Sequence, residues 1–197
     1  KNNPSIVHYS NIEQLKKDCV LNKNFFILYK KLCPGPITFI LKIKKESRIS
    51  KFVTNNKNTL AVRFPKNKIT QKLLKILTYP LAAPSANIST KISPVSARDV
   101  REEFGKKIKF ILNGGNSKIG LESTIISLVK KPEILRYGGI EIGKISKILK
   151  TKVKFKSKKN KISAPGQGKI HYSPYIPIRL NIKNPHKDEA YLLIKKR

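Results

Sequence analysis

The sequence has 197 residues, of which 39% are hydrophobic, and a formal net charge of +32. This length suits one α/β or α+β domain with a short appendage. The sequence has no apolar run long enough to cross a bilayer and no signal-peptide pattern, so we expect a cytoplasmic protein without membrane contact. Two cysteines are too few for a disulfide framework or a four-ligand zinc site.

The positive charge predicts an affinity for polyanions such as RNA or DNA. Most of the excess is lysine, and it accompanies many asparagines and isoleucines. These three residue types share A/T-rich codons, so the base composition of the gene explains the excess equally well. The charge alone therefore leaves nucleic-acid binding open.

The spacing of apolar residues predicts helices that alternate with strands over residues 1–150. Capping-box patterns begin two of the helices, at Ser10–Glu13 and at Ser96–Asp99. The turn Pro34–Pro36 ends the second helix. The predicted helices cover residues 10–21, 25–32, 69–77, 96–104 and 140–149.

Short runs of β-branched and aromatic residues predict the strands. They cover residues 37–43, 60–64, 109–112, 124–129 and 134–135. Their connections are too irregular for a doubly wound sheet. We therefore predict an α+β (mixed α/β) fold, with a twisted mixed sheet and flanking helices.

The composition changes near residue 151. A lysine-rich stretch and a Gly/Pro-rich stretch follow, which predicts a basic linker over residues 151–174. Residues 175–197 are too few to hold a core of their own, so we expect the start of a further domain there. Residues 1–150 form the domain in which we expect the chemistry.

The sequence contains no familiar catalytic cluster. Its three histidines are scattered, and it has no P-loop, no serine elbow and no metal-ligand spacing. Acidic residues are few, which disfavours paired-carboxylate catalysis and a metal held by protein carboxylates. We therefore assign no nucleophile, no catalytic base and no metal ligand.

Small polar turns are the remaining candidates for binding. In the first, an Asn-Pro turn leads to His8 at the end of a short apolar strand. Thr38 follows a Pro-Gly-Pro turn, and Lys42 lies an even number of residues along the same predicted strand, so it shares the face of Thr38. Arg136 precedes two glycines and can clamp a phosphate. Each turn is also explained as an ordinary connection between elements.

Two further segments are rich in small residues. Residues 81–89 let a ligand approach the backbone and offer Ser85 and Asn87 as hydrogen-bonding groups. Glycines at 114, 115 and 120 precede a predicted strand, where backbone N–H groups suit an anion and a hairpin turn is an equal explanation.

In chain order, these segments resemble one family, the threonylcarbamoyl-AMP synthases, over residues 1–149. The Pro-Ser-Ala-Asn segment at 84–87 and the Glu-Ser-Thr segment at 122–124 are the more specific matches. Residues 165–174 resemble the linker of the two-domain form of the family. The other matching segments are Asn3–His8, Pro34–Phe39, Val62–Pro65, Ser93-Pro94, Asn113–Gly115 and Leu135-Arg136.

The resemblance implies the double-stranded-RNA-binding-like fold of this family and a set of site residues. The threonine-binding residues would be His8, Lys42 and Ser123. Arg63 would support the site. The ATP-binding residues would be Asn3, Thr38, Ala83, Ser85, Ser93, Arg136 and Tyr172.

The implied reaction forms L-threonylcarbamoyladenylate from L-threonine, bicarbonate and ATP, with release of pyrophosphate. ATP is a substrate, and Mg²⁺ would be carried by its triphosphate. Downstream threonylcarbamoyl transferases would use the product to make N6-threonylcarbamoyladenosine in tRNA. The alternative is a non-catalytic module of the same fold that binds double-stranded RNA or tRNA, but His8, Lys42, Ser123 and Tyr172 favour the enzyme.

The sequence also departs from the family pattern. It contains no methionine and begins at Lys1, so we expect the numbering to start inside a longer protein. The family's Thr/Tyr-Gly-Leu and Lys-x-Arg-Pro segments would precede Lys1, and we expect this chain alone to have impaired activity. Tyr137 replaces the usual proline and Asn113 the usual aspartate.

Overall fold

The structure is a computed structural model that describes residues 4–88, 91–156 and 177–192. The candidate residues Asn3 and Tyr172 lie outside these ranges, as does most of the predicted linker. No helix in the described part of the chain is both long and apolar enough to span a membrane.

The described residues form an eight-stranded sheet in the order β5-β1-β4-β3-β6-β7-β8, with the short β2 paired to β3. The pairs β1/β4, β3/β6 and β7/β8 are parallel and the others are antiparallel, which confirms the predicted mixed sheet. The strands are β1 (Ile6–His8), β2 (Cys19–Val20), β3 (Ile37–Ile43), β4 (Thr59–Arg63), β5 (Leu81–Ala83), β6 (Thr124–Ser127), β7 (Glu133–Arg136) and β8 (Lys154–Phe155).

Six α-helices are present among the described residues, and asparagine or serine side chains cap the first five. A 3₁₀ turn at Gly105–Lys107 follows α5. The helices are α1 (Ile12–Asp18), α2 (Lys23–Leu32), α3 (Lys51–Thr54), α4 (Lys68–Ile76), α5 (Ala97–Phe104) and α6 (Ile142–Leu149).

The main core lies on one face of the sheet. Alternate residues of β3, including Phe39 and Leu41, are buried there with residues of α1, α2 and α6. Phe25 of α2 is fully buried, and its ring centroid lies 5.1 Å from that of Phe39 in an edge-to-face arrangement. Since strand side chains alternate between faces, the remaining residues of these strands point to the second face.

The second face carries a smaller buried cluster of apolar residues. Its members are Ile40, Ala61, Ile125 and Leu135. Polar residues of the same strands lie at either end of this cluster. The two faces of the sheet therefore have different roles, one for packing and one that presents polar groups.

Several details of the sequence-based prediction were wrong. Residues 109–112 form no strand: Phe110 and Leu112 are largely exposed, so an apolar pattern without a neighbouring strand to pair with did not make one. The cap of the first helix lies one residue later than predicted, because Asn11 rather than Ser10 accepts the hydrogen bond from the backbone N–H of Gln14, and the helix begins at Ile12. It also ends at Asp18, where β2 begins.

The predicted Ser96 capping box is present, with the Ser96 side chain bonded to the Asp99 backbone and the Asp99 side chain bonded back. The strand β8 extends the sheet to Phe155, within the stretch that the sequence assigned to the linker. The division of the chain into three parts stays a prediction.

We expect Phe25→Ala to lower the free energy of unfolding by about 3–5 kcal/mol, because it empties a fully buried site. Phe26 is the neighbouring residue and is 45% exposed, so Phe26→Ala is the control and should cost about 1 kcal/mol or less. Urea unfolding of both variants measures the difference, and equal losses would contradict this assignment of the core.

Candidate functional site

A row of polar residues crosses the second face of the sheet at one end. His8 at the end of β1 is in register with Arg63 of β4, which is in register with Thr38 of β3. Ser123 immediately precedes β6, and Arg136 ends β7. We call these five residues the polar row. Four strands and the residue before a fifth thus bring together side chains that are far apart in the sequence.

Direct hydrogen bonds join three of the five residues of the polar row. The Thr38 and Ser123 hydroxyl oxygens lie 2.7 Å apart, and both residues are fully buried. The Arg136 guanidinium donates to the Ser123 carbonyl at 2.8 Å and to its hydroxyl at 3.1 Å. These bonds fix the direction of both hydroxyls and hold the guanidinium against the residue that precedes β6.

Arg63 lies in the middle of the row with part of its hydrogen-bonding capacity unused. Its Nε is buried and has no hydrogen-bond partner in the described part of the chain. Burial lowers the pKa of its guanidinium, and the charge of Arg136 lowers it further. A buried donor beside a second cation is unfavourable unless an anion accepts from it. Arg63 therefore marks the place where an anionic group fits best.

His8 is a neutral member of the row at physiological pH. Burial, together with the positive charge of Arg63, lowers the pKa of its imidazole from 6.5 to about 4. Its Nδ1 lies 3.3 Å from the Leu81 carbonyl oxygen of β5. An Nδ1–H that donates to this carbonyl leaves Nε2 as an acceptor.

A cavity of about 320 Å³ adjoins His8 and Arg63. This volume lies in the range of small-molecule sites. Asn67 in its wall caps α4 and donates to the Gly114 carbonyl at 2.9 Å, which ties the glycine loop to the cavity. The other lining residues are Gly35, Pro36, Pro65, Lys66, Thr70 and Ile119.

Ser93, which follows the small-residue segment at 81–89, contacts the residue before Ser123 of the row. Ser93 donates from its hydroxyl to a Glu122 carboxylate oxygen at 2.6 Å, next to Ser123. Ala83 is in register with Ile6, two residues before His8, and Ser85 is exposed beyond the end of β5. Thus Ser93 lies near the row, whereas Ala83 and Ser85 lie further along the sheet.

Lys42 shares the face of Thr38, as its even spacing requires, but it lies at the other end of β3. Four residues of strand place their backbones about 13 Å apart. Lys42 is exposed there, beside Thr59 of β4. The structure therefore does not place Lys42 in the polar row.

Comparisons with known proteins show the family to which this chain belongs. The family model Sua5_yciO_yrdC, described as telomere recombination, matches residues 1–138. The chain belongs to the Sua5/YciO/YrdC family.

Proteins similar to this chain include two threonylcarbamoyl-AMP synthases and a protein with a crystal structure. The threonylcarbamoyl-AMP synthase of Pyrococcus abyssi is 38% identical over 87% of this chain and 52% of its own length. That of Schizosaccharomyces pombe is 34% identical over 98% of this chain and 55% of its own. The crystal structure of P. abyssi Sua5 complexed with L-threonine matches with a TM-score of 0.81 at 36% identity, over 88% of this chain and 52% of that one. The chain thus spans about half the length of these relatives.

Two residues of this Sua5/YciO/YrdC domain have larger roles than the sequence indicated. Arg63 was expected only to support the site, yet it lies in the centre of the row; its position at the end of a strand, on the face of Thr59 and Ala61, was the available signal. Glu122 belongs to the Glu-Ser-Thr segment that resembles the family, but the sequence assigned it no role in the site. It holds Ser93 through its side chain and accepts from the Gly139 N–H at 2.8 Å through its carbonyl.

A larger cleft, of about 900 Å³, lies on the opposite side of the sheet, where Val7 and Ala82 line it. Its buried carboxylate, Asp18, already accepts from the Tyr9 and Ser47 hydroxyls at 2.9 and 2.6 Å. No three His, Cys, Asp or Glu side chains of the described residues are grouped so as to hold a metal ion. We therefore take the polar row, and not the larger cleft, as the candidate site of this family member.

His8 should make stability pH-dependent in a defined window. The unfolded chain takes up a proton near pH 6.5, whereas folded His8 does so only near its lowered pKa of about 4. The free energy of unfolding should therefore fall as the pH drops from 6.5 to 4. Urea unfolding across this window should show a smaller fall for His8→Gln, since other groups titrate in both proteins. Parallel pH profiles would contradict the assignment.

Gly138 should be intolerant of a side chain. A Cβ there would lie 2.4 Å from the Glu122 carbonyl oxygen and 2.5 Å from backbone atoms of Ser123 and Thr124. We expect Gly138→Ala to lower the free energy of unfolding by about 1–3 kcal/mol through overpacking. Gly143→Ala is the control, because that position has open space in a helix, and it should be neutral or stabilising by thermal unfolding.

Proposed function

We propose that this protein forms L-threonylcarbamoyladenylate from L-threonine, bicarbonate and ATP, with release of pyrophosphate and water. The observation that carries this proposal is the polar row, in which two guanidiniums, two hydroxyls and a neutral imidazole lie at one end of the sheet, with a cavity that adjoins His8 and Arg63. The names of the relatives support the same reaction. Threonylcarbamoyl transferases would then use the product for N6-threonylcarbamoyladenosine in tRNA, in the cytoplasm.

Threonine would bind in the cavity beside His8 and Arg63. The unpartnered Nε of Arg63 would donate to the amino-acid carboxylate, which removes the cost of a buried donor. The Nε2 atom of neutral His8 would accept from the threonine hydroxyl, and Ser123 offers a further hydroxyl just before β6. The P. abyssi Sua5 structure contains L-threonine, which supports an amino-acid subsite in this fold.

The charge of the row also favours the nucleophilic form of the amine. An ammonium group beside Arg63 and Arg136 is repelled, so the positive field lowers the pKa of the amine. The free amine would attack the carbon of bicarbonate, and water leaves as the N–C bond forms. The resulting carbamate carries a negative charge, which the same guanidiniums stabilise.

The carbamate oxygen would then attack the α-phosphorus of ATP, and pyrophosphate leaves as the bond to the bridging oxygen breaks. This displacement requires alignment and charge neutralisation, not a protein nucleophile. Arg136 and Thr38 would hold the α-phosphate, and Ser93 would contact the nucleotide. Mg²⁺ would travel on the triphosphate, because Glu122 is the one carboxylate found at the row among the described residues and Ser93 already bonds it. Further proposed ATP contacts are Asn3, Ala83, Ser85 and Tyr172.

The experiment measures pyrophosphate release from ATP in the presence of bicarbonate, with L-threonine present or omitted. We expect release that depends on L-threonine, and L-valine, which lacks the hydroxyl, should support much less. Release that is equal with and without threonine would contradict the proposal. Calorimetric titration of L-threonine tests the amino-acid subsite separately from turnover.

Arg63→Gln should weaken threonine binding about 10- to 100-fold, in line with the loss of a buried charged hydrogen bond. Lys42→Gln is the matched control, because it removes one positive charge from the same face at a distance of about 13 Å. We expect Lys42→Gln to leave the affinity for threonine within about twofold in calorimetry. An equal loss in both variants would return Lys42 to the threonine subsite that the resemblance implies.

A further inference from the structure

The cavity beside His8 and Arg63 is not lined by polar groups alone. Two apolar side chains, those of Pro36 and Ile119, line it together with these two residues. A Cβ at Gly139 would lie 3.2 Å from both the Ile119 Cγ2 atom and the Pro36 Cβ atom. The two apolar side chains therefore come together over this glycine, and we call them the apolar wall.

Pro36 is held in the apolar wall by the ends of two strands. Its carbonyl accepts from the Thr124 N–H of β6 at 2.9 Å. The N–H of the preceding residue, Gly35, donates to the Phe64 carbonyl, just after β4, at 3.0 Å. Pro36 also lies two residues before Thr38, so its position beside the polar row is set by the sheet.

Ile119 is the part of the apolar wall that a loop carries. The Ser117 N–H donates to the Val95 carbonyl at 2.7 Å, and the Gly114 carbonyl accepts from Asn67, so the loop is held at two points beside the cavity. Ile119 is 51% exposed, which leaves about half of its surface open to solvent. A ligand in the cavity can cover this apolar surface, and water leaves it with a gain in free energy.

We propose that the apolar wall recognises the β-methyl group of threonine, which serine lacks. This inference rests on the proposed function, in which Arg63 binds the amino-acid carboxylate and His8 the hydroxyl. The methyl group and the hydroxyl are bonded to the same carbon atom, so a threonine held in this way carries its methyl group into the same cavity. Contact with Pro36 and Ile119 buries that methyl group and favours threonine over serine.

Two simpler roles for Ile119 predict different behaviour. If Ile119 only holds the loop in place, its truncation should weaken the binding of every amino acid alike. If Ile119 covers the nucleotide, its truncation should alter ATP binding and leave the preference among amino acids as it was. A wall that contacts the methyl group affects threonine and valine, which both carry a β-methyl group, more than serine.

Calorimetric titration of the full chain with L-threonine, L-serine and L-valine tests the proposal. The unmodified protein should bind threonine about tenfold more tightly than serine, as expected for one methyl group in an apolar pocket. Ile119→Ala should reduce this ratio to about 2- to 3-fold, because Pro36 remains and part of the apolar contact is lost. The threonine-to-valine ratio should stay as in the unmodified protein, because the hydroxyl that separates these two ligands contacts His8.

Two further variants are matched controls. Ile119→Val retains the Cγ2 atom beside Gly139 and should keep the threonine-to-serine ratio within about twofold of the unmodified protein. Leu121 lies in the same loop and is 64% exposed, but it does not line the cavity. Leu121→Ala should therefore bind all three amino acids as the unmodified protein does. Circular dichroism checks that each variant is folded.

The affinity ratios decide the proposal separately from turnover. An unchanged threonine-to-serine ratio in Ile119→Ala would overturn it, and so would an equal fall of that ratio in Leu121→Ala. Equal binding of threonine and serine by the unmodified protein would overturn it as well. Pyrophosphate release that does not depend on threonine would contradict the proposed reaction alone, whereas no binding of threonine by the unmodified protein would contradict both.

Discussion

The alternation of side chains along β3 is the constraint on which both faces of the protein depend. Phe39 is fixed in the main core by Phe25 of α2, and this contact determines that Thr38 points to the second face. Register with β4 then places Arg63 beside Thr38, and the pairing with β6 brings Ser123, which precedes that strand, within 2.7 Å of the Thr38 hydroxyl on the other side. A slip of one residue would exchange the faces, burying Thr38 in the core and exposing Phe39. The aromatic packing under the sheet therefore sets the polar row above it.

The electrostatics of the row follow from what the sheet buries. Arg63 and Arg136 repel each other, and the buried Nε of Arg63 has no acceptor among the described residues, so this end of the sheet favours an anion. The same positive field keeps His8 neutral and available as a hydrogen-bonding group. Because the sequence has few carboxylates, little negative charge offsets this positive field. The same scarcity argued against acid–base catalysis. A site for carboxylate, carbamate and phosphate needs such a field.

The sequence predicted the parts of this structure that local chemistry determines. The helices α2, α4 and α5 and the strands β3 and β4 have strong periodicity, and their bounds agree to within about two residues, the usual uncertainty at element ends. The strands β5 and β8 were missed because two or three residues carry no period and exist only through pairing. Residues 109–112 show the converse, a strand-like pattern without a pairing partner. Likewise Arg63 and Glu122 gained their roles from register and from Ser93, which no local pattern encodes.

The end of β7 directs two successive side chains to opposite faces of the sheet. Arg136 turns to Ser123 in the polar row, whereas the next residue, Tyr137, stacks on Phe155, which shares the register and face of Ile134 in the main core. The register of β7 against β6 shifts at this point, between the pairs Ile126–Ile134 and Ile125–Arg136. This irregularity lets Arg136 reach the second face although Ile134, two residues earlier, lies in the main core. Gly138 then packs tightly against backbone atoms at Ser123 and Thr124, so a shift of the backbone here would displace the Arg136 guanidinium from Ser123. A side-chain change at Tyr137 should leave the polar row unaltered.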